Sequence, residues 1–296
     1  MTRTEPPVIR FHESPDLFRA ATEFTAAETR FAARLIEKDY FCSVLVEYLA
    51  AEGSLVFKGG TCLAKVYAGF YRLSEDLDFV IPTAVDASRV ERRRRAAPVK
   101  GAVAALPQTL AGFRLVEPMT GANVSTQYVA VVAYPSFLTG EEETIKIEVG
   151  LREPLLIPPE SMPVGTLLLD PVSNTPMVPP VTVPSIARLE AYAEKFRAAL
   201  SRRDVAIRDF FDIDHAVRNR RLQADDEELI RLVRNKLDVP GNEPVNVVPE
   251  RLVRLQLQLE PQLKPVLREK DFREFDLARA FRVVSKMARR LDESRS

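Results

Sequence analysis

Apolar positions change their rhythm along this chain. Up to about residue 184 they fall in short, separated runs, and beyond it they recur every three or four residues. Residues 55–58, 77–81, 127–134 and 144–149 are β-like runs of the kind that form strands. Ahead of them, residues 22–51 read as helical, with Phe24, Phe31, Leu35, Tyr40 and Leu45 among the apolar positions. Past Pro184, Ser185 stands where it can cap a helix whose face carries Ile186, Leu189, Ala193, Phe196 and Leu200. Helical patterns continue over 225–237, 250–259 and 272–291. Nine of the 22 prolines lie between Pro154 and Pro184. Proline neither donates to a ladder nor continues a helix, so this stretch reads as an irregular connection with a short strand near 166–169. The expected fold is α+β. A mixed sheet with helices occupies residues 1–153, a proline-rich connection 154–184, and an all-helical domain 185–296.

A length of 296 residues leaves room for two cores. The 42 basic and 42 acidic side chains cancel, so any anion-binding surface must be local. Two such surfaces stand out: Arg89 with Arg92, Arg93, Arg94 and Arg95, and a helical stripe of Arg279, Arg282, Lys286 and Arg289. Each could also be a solvated face. No apolar run reaches the length of a membrane span, and residues 1–13 hold no apolar targeting core, so a cytoplasmic protein without membrane attachment is expected. Cys42 and Cys62 cannot build a disulfide framework, and His12 and His215 offer no zinc cluster. The chemistry must rest on carboxylates, lysines and arginines.

Candidate chemistry gathers between residues 54 and 81. A β-like run ends in Lys58-Gly59-Gly60-Thr61 and passes into a helical stretch. Two glycines at such a turn let the chain bend sharply and let a phosphate approach main-chain N–H groups. The Walker spacing is absent. In residues 76–81, Leu77, Phe79 and Ile81 share one strand face, so Asp76 and Asp78 project together from the other. Like charges roughly 7 Å apart on one face repel each other. A cation such as Mg²⁺, which takes carboxylates plus substrate phosphates, would reconcile them. A plain solvated strand face is the alternative. Residues 144–149 repeat the alternation and leave Lys146 and Glu148 together. If that strand lies beside the first, Glu148 completes a three-carboxylate metal cluster with Asp76 and Asp78.

Gly59-Gly60-Thr61 followed by Arg72-x-Ser74-x-Asp76-x-Asp78 resembles the first signature of the AbiEii/AbiGii-type, MenT-like nucleotidyltransferase toxins, within the DNA polymerase β-like superfamily. Lys146-Ile147-Glu148 resembles the second motif, with Glu148 in place of its aspartate. Ala193-Glu194-Lys195 resembles the third, and Arg208-Asp209-Phe210-Phe211-Asp212 the fourth. The acid that often stands four residues before the motif lysine is here Ala191, with Glu190 adjacent. The resemblance covers residues 54 to 212 and implies a polymerase β-like catalytic domain. It implies Asp76 and Asp78 as metal ligands for Mg²⁺, with Mn²⁺ as a substitute, and gives Glu148 a metal or base role. It implies phosphate binding by Gly59, Gly60 and Thr61, a triphosphate contact from Lys195, and a functional Asp209. Ser74 and Arg72 stand where they could reach the phosphates, and Lys58 could reach a phosphate or equally pair with a carboxylate. Arg72 could equally pair with Glu75 or Asp76, Asp209 with Arg208 or Lys195, and Asp212 with an arginine on its own helix. Cys62 is expected to pack.

The implied activity is transfer of a nucleotide from a nucleoside triphosphate to RNA, at the tRNA 3′ end, by a toxin neutralised by an antitoxin protein. Transfer of a nucleotidyl or phosphoryl group to a protein, including the antitoxin, or to a small molecule such as an aminoglycoside is the alternative. A non-catalytic binding protein on the same fold is disfavoured by the intact Asp76/Asp78 pair.

Overall fold

The computed structural model describes residues 9–293; the part of the amino-terminal stretch in residues 1–8, expected to hold no targeting segment, lies outside the described residues. The chain divides into two compact units. The first is Met1–Leu155 with Pro159–Ile186, and the second is Leu156–Pro158 with Ala187–Ser296. No helix among the described residues is long and apolar enough to cross a membrane.

In the first unit, helices α1 (Pro15–Thr29) and α2 (Ala33–Ala50) precede strand β1 (Val56–Lys58). Residues 22–51 are therefore not one helix: Arg30 takes a left-handed conformation and ends α1. Helix α2 is buried on all sides from Leu35 to Leu49, as its lack of a single apolar stripe requires. Its charged residues are partnered. Asp39 pairs with Lys65 at 2.5 Å, and Glu37 accepts from the Ser136 hydroxyl and the Phe137 N–H, both at 2.7 Å.

After β1 come α3 (Gly59–Cys62), β2 (Leu77–Val80), α4 (Arg89–Thr109), β3 (Arg114–Ala122), β4 (Gln127–Pro135), β5 (Glu142–Gly150), β6 (Glu160–Val164) and β7 (Val181–Ser185). The strands form one seven-stranded mixed sheet in the order β3-β4-β5-β2-β1-β7-β6. Two strands thus lie where the prolines suggested an irregular connection, and the segment expected near 166–169 contributes only an isolated bridge from Leu169 to Pro176. Pro163 is tolerated because β6 is an edge strand. Ser185 ends β7 and its hydroxyl donates to Val183, so it does not cap the following helix.

The sheet has unlike faces. Tyr128, Ala130, Val132 and Tyr134 of β4 oppose Val149, Ile147, Ile145 and Glu143 of β5. On this face the residues other than Glu143 are buried. Phe41 of α2 stacks on Tyr134 with ring centres 4.1 Å apart. The Tyr48 hydroxyl of α2 donates to the Ala102 carbonyl of α4 at 2.9 Å, which joins the two helices. On the opposite face Val129, Val131, Lys146 and Glu148 are half-buried.

The second unit is helical: α5 (Arg188–Ser201), α6 (Ile207–Asn219), α7 (Glu227–Leu237), α8 (Pro249–Gln256), α9 (Glu269–Glu274) and α10 (Leu277–Glu293). Phe196, Phe210, Phe211, Leu229, Val233 and Met287 supply its core. An enclosed ion pair crosses it, with Lys236 2.7 Å from Glu190 and 3.3 Å from Glu194.

Candidate active site

Strand register assembles a row of charged side chains in the first unit. Lys58 on β1 lies opposite Asp78 on β2, and Asp78 lies opposite Glu148 on β5. Side chains directly opposite one another in a sheet share a face. Lys58, Asp78 and Glu148 therefore form one row across three adjacent strands. Phe57, Phe79 and Val149, the next row, point to the other face and are buried. The pairing on which the Glu148 expectation depended is thus present.

The glycine turn closes on this row. Gly59 follows β1 directly and has φ +77°, a backbone conformation that L side chains rarely adopt. A Cβ on Gly59 would overlap the Asp78 carboxylate, and one on Gly60 would overlap the Arg72 guanidinium. Both glycines are thus required by close approach. The Thr61 hydroxyl donates to the Asp76 carbonyl at 2.5 Å, tying the turn to the start of the Asp-x-Asp run. Arg72 is 1% exposed, lies against Gly60, and donates to the Leu73 carbonyl at 3.2 Å. Its charge reaches the turn from beneath. Glu75 pairs with Arg34 at 3.2 Å and Lys38 at 3.5 Å. Ser74 is half-buried in the segment leading to Asp76. Cys62 is fully buried and packs, as expected.

Lys146 was not singled out as a site residue from the sequence, yet it stands among the acids. Its ammonium is 3.5 Å from Glu148. Burial alone would depress its pKa, but the carboxylates of Asp76, Glu148 and Asp78 outweigh burial and hold it above the ordinary lysine value. The signal was available in the alternation that put Lys146 on the Glu148 face.

The donor set suits a hard divalent cation, being carboxylate oxygen throughout. Among the described residues no group of three His, Cys, Asp or Glu side chains could hold a metal ion by itself. A Mg²⁺ ion commonly takes one or two carboxylates plus substrate phosphates and needs no all-protein cage.

The remaining motif residues belong to the second unit. Lys195 on α5 is 2.8 Å from Asp209 and 2.9 Å from Asp212, both on α6. Arg202 approaches Asp209 at 3.4 Å. Asp212, expected to pair with an arginine of its own helix, pairs with a lysine of another, because residues 209 and 212 lie one turn apart on the α6 face turned to α5. Arg208 reaches the Gln262 carbonyl at 3.2 Å.

The basic surfaces are smaller than the sequence suggested. Arg92 is buried and donates to the Leu151 and Val85 carbonyls. Arg95 pairs with Glu91 at 2.9 Å, Arg279 with Asp214 at 2.6 Å, and Lys286 with Asp225 at 2.7 Å. Residues 89–95 form the first turns of helix α4.

A strand-end glycine turn, a shared row of carboxylates and adjacent cations supply charge and backbone donors rather than an activated nucleophile. Such equipment suits an enzyme of phosphoryl chemistry. The chain matches the family described as Nucleotidyl transferase AbiEii toxin, Type IV TA system, over residues 44–285, and it belongs to that family. Two solved structures are similar to it: a candidate nucleotidyltransferase from H. pylori and JHP933 from Helicobacter pylori. Each is 17% identical with a TM-score of 0.46, covering 88% of this chain and 92% and 90% of theirs, respectively. No curated protein matches the chain.

Proposed function

We propose that this toxin transfers a nucleoside monophosphate from a nucleoside triphosphate to RNA, at the 3′ end of tRNA, with Mg²⁺. Mn²⁺ is the proposed substitute. The observation that carries the reading is the Lys58–Asp78–Glu148 row closed by Gly59. An acceptor hydroxyl forms a bond to the α-phosphorus as the bond to the β-phosphate oxygen breaks and pyrophosphate leaves. The chain's task is to position these groups and to offset their charge. Gly59, Gly60 and Thr61 offer backbone donors for phosphate, Lys58 and Arg72 add positive charge, and Ser74 adds a hydroxyl. Asp76, Asp78 and Glu148 would hold the cation, which when bound neutralises phosphate charge and acidifies the attacking oxygen. Lys195 supplies further positive charge to the triphosphate, and Asp209 with Asp212 fixes its position. A cognate antitoxin protein is the proposed regulator, and the cytoplasm the proposed compartment.

The test is incubation of the purified protein with total RNA and each labelled triphosphate in turn, with and without Mg²⁺. Label is expected in RNA of tRNA size, only with the cation. Label entering protein instead would overturn the RNA assignment in favour of nucleotide transfer to a protein acceptor.

A further inference from the structure

Helix α4 places Arg89, Arg93 and Lys100 at spacings of four and seven residues, which puts them on one face. They line a cleft of about 460 Å³ whose far wall is Gly121, Ser125 and Tyr128 of the β3–β4 hairpin. No carboxylate is among its described lining residues. All three cations are exposed, and none makes a hydrogen bond or ion pair with a described residue. That sets them apart from Arg92 and Arg95 of the same helix. A second, independent observation lies in the cleft wall. Tyr128 is 2% exposed and its hydroxyl has no hydrogen-bond partner among the described residues. A buried hydroxyl left without a partner has lost its hydration uncompensated, which an acceptor oxygen entering the cleft would relieve.

The register fixes which side of the sheet this is. Tyr128 opposes Val149, which opposes Phe79, whereas Glu148 opposes Val129 and Asp78. The cleft is on the helix-covered face, and the carboxylate row is on the other. It is therefore not the triphosphate site. Arg89 to Lys100 spans about 16 Å at the helical rise of 1.5 Å per residue. One phosphate cannot meet cations spread over that length, but successive phosphates of a strand can.

We propose that this cleft is a docking site for the phosphodiester backbone of RNA, with Arg89, Arg93 and Lys100 contacting successive phosphates and the Tyr128 hydroxyl donating to one of their oxygens. The inference rests on RNA being the acceptor. It adds where the strand is gripped, on the sheet face away from the chemistry.

Fluorescence anisotropy of a labelled single-stranded oligoribonucleotide, titrated with protein over a range of salt concentrations, tests it. For the Arg89→Ser/Arg93→Ser/Lys100→Ser variant the salt slope should fall by about 2, from three lost contacts at roughly 0.7 each. Its affinity at low salt should fall by about tenfold or more. Arg94→Ser/Arg282→Ser/Arg289→Ser removes equal charge elsewhere and should leave most of the slope. Tyr128→Phe should weaken binding about threefold at every salt concentration, with the slope unchanged and no loss of thermal stability. An unchanged slope in the first triple variant, an equal fall in the second, or full affinity in Tyr128→Phe would each overturn the cleft as the docking site. Displacement of RNA from wild type by pyrophosphate, lost in the first triple variant, would make it a small-anion site and overturn the strand assignment. Binding is read without turnover. A wild type that grips RNA here yet transfers no nucleotide would sink the proposed reaction alone.

Discussion

Gly59→Ala isolates the link between backbone geometry and chemistry. Two effects are expected from one methyl group. The first is local: an L residue held at φ +77° costs about 1–2 kcal/mol. In a unit of this size that lowers the melting temperature by about 3–6 °C. The second is specific, because the new Cβ would overlap the Asp78 carboxylate. Asp78 sits on a paired strand, so its backbone cannot retreat and the side chain must leave the row it shares with Lys58 and Glu148. A displacement of about 1 Å at a reacting centre costs about 100-fold in rate. Gly53 provides the control. It has φ +70° with nothing within 4 Å of an added Cβ, so Gly53→Ala carries the backbone cost without the collision. Differential scanning fluorimetry and single-turnover label transfer, run on both variants, separate the two effects. Similar melting losses with about 100-fold lower transfer only in Gly59→Ala are expected. Transfer by Gly59→Ala within threefold of Gly53→Ala would refute the claim that Gly59 is glycine for the sake of Asp78.

Two further expectations concern the helical unit. Lys195→Ala removes the ammonium that pairs with both Asp209 and Asp212, two almost enclosed carboxylates, and should cost about 3 kcal/mol in urea unfolding. Adding Asp212→Asn should recover about 1 kcal/mol or more, and a double variant no more stable than the single would show that the pairing is weak. Burial, aided by Arg220, holds the His215 pKa down at about 4 against 6.5 for a free histidine. The unfolded chain therefore binds a proton first as pH falls, so stability is lost between about pH 6.5 and 4 and not further below. Allowing for the ring's partial exposure, the loss attributable to His215 is ~2 kcal/mol. His215→Gln should flatten the melting temperature against pH over that window; an unaltered profile would contradict the burial argument.

The parts of this fold that obey simple alternation were readable in advance. The 77–81 and 144–149 runs showed which residues share a face, and the structure sets those strands side by side with Asp78 opposite Glu148. Strands β3 and β6 lie at the sheet edges, and β3 is largely exposed, so neither needs a regular apolar face. Prolines further disguised β6 and β7. Helix α4 was missed because Pro98 and Pro107 lie inside it and charge crowds its first turns. For the same reason its arginines looked equivalent. Only tertiary packing distinguishes Arg92, buried against Leu151, from Arg93, which faces the cleft. Lys146 shows a different limit. Alternation gave its face, but its role as counter-charge depends on Asp78 and Glu148 of two strands and Asp76 just before one of them.

The most direct test of the account is transfer by the Asp78→Asn protein, because Asp78 is where the turn, the strand row and the proposed cation meet. Incubated with Mg²⁺, labelled triphosphate and total RNA, this variant should lose label transfer by about 1,000-fold or more, while its melting temperature stays within a few degrees of wild type. Removing one of several like charges should not unfold the sheet. Near-wild-type transfer by a folded Asp78→Asn protein would contradict the central claim that this carboxylate row carries the reaction.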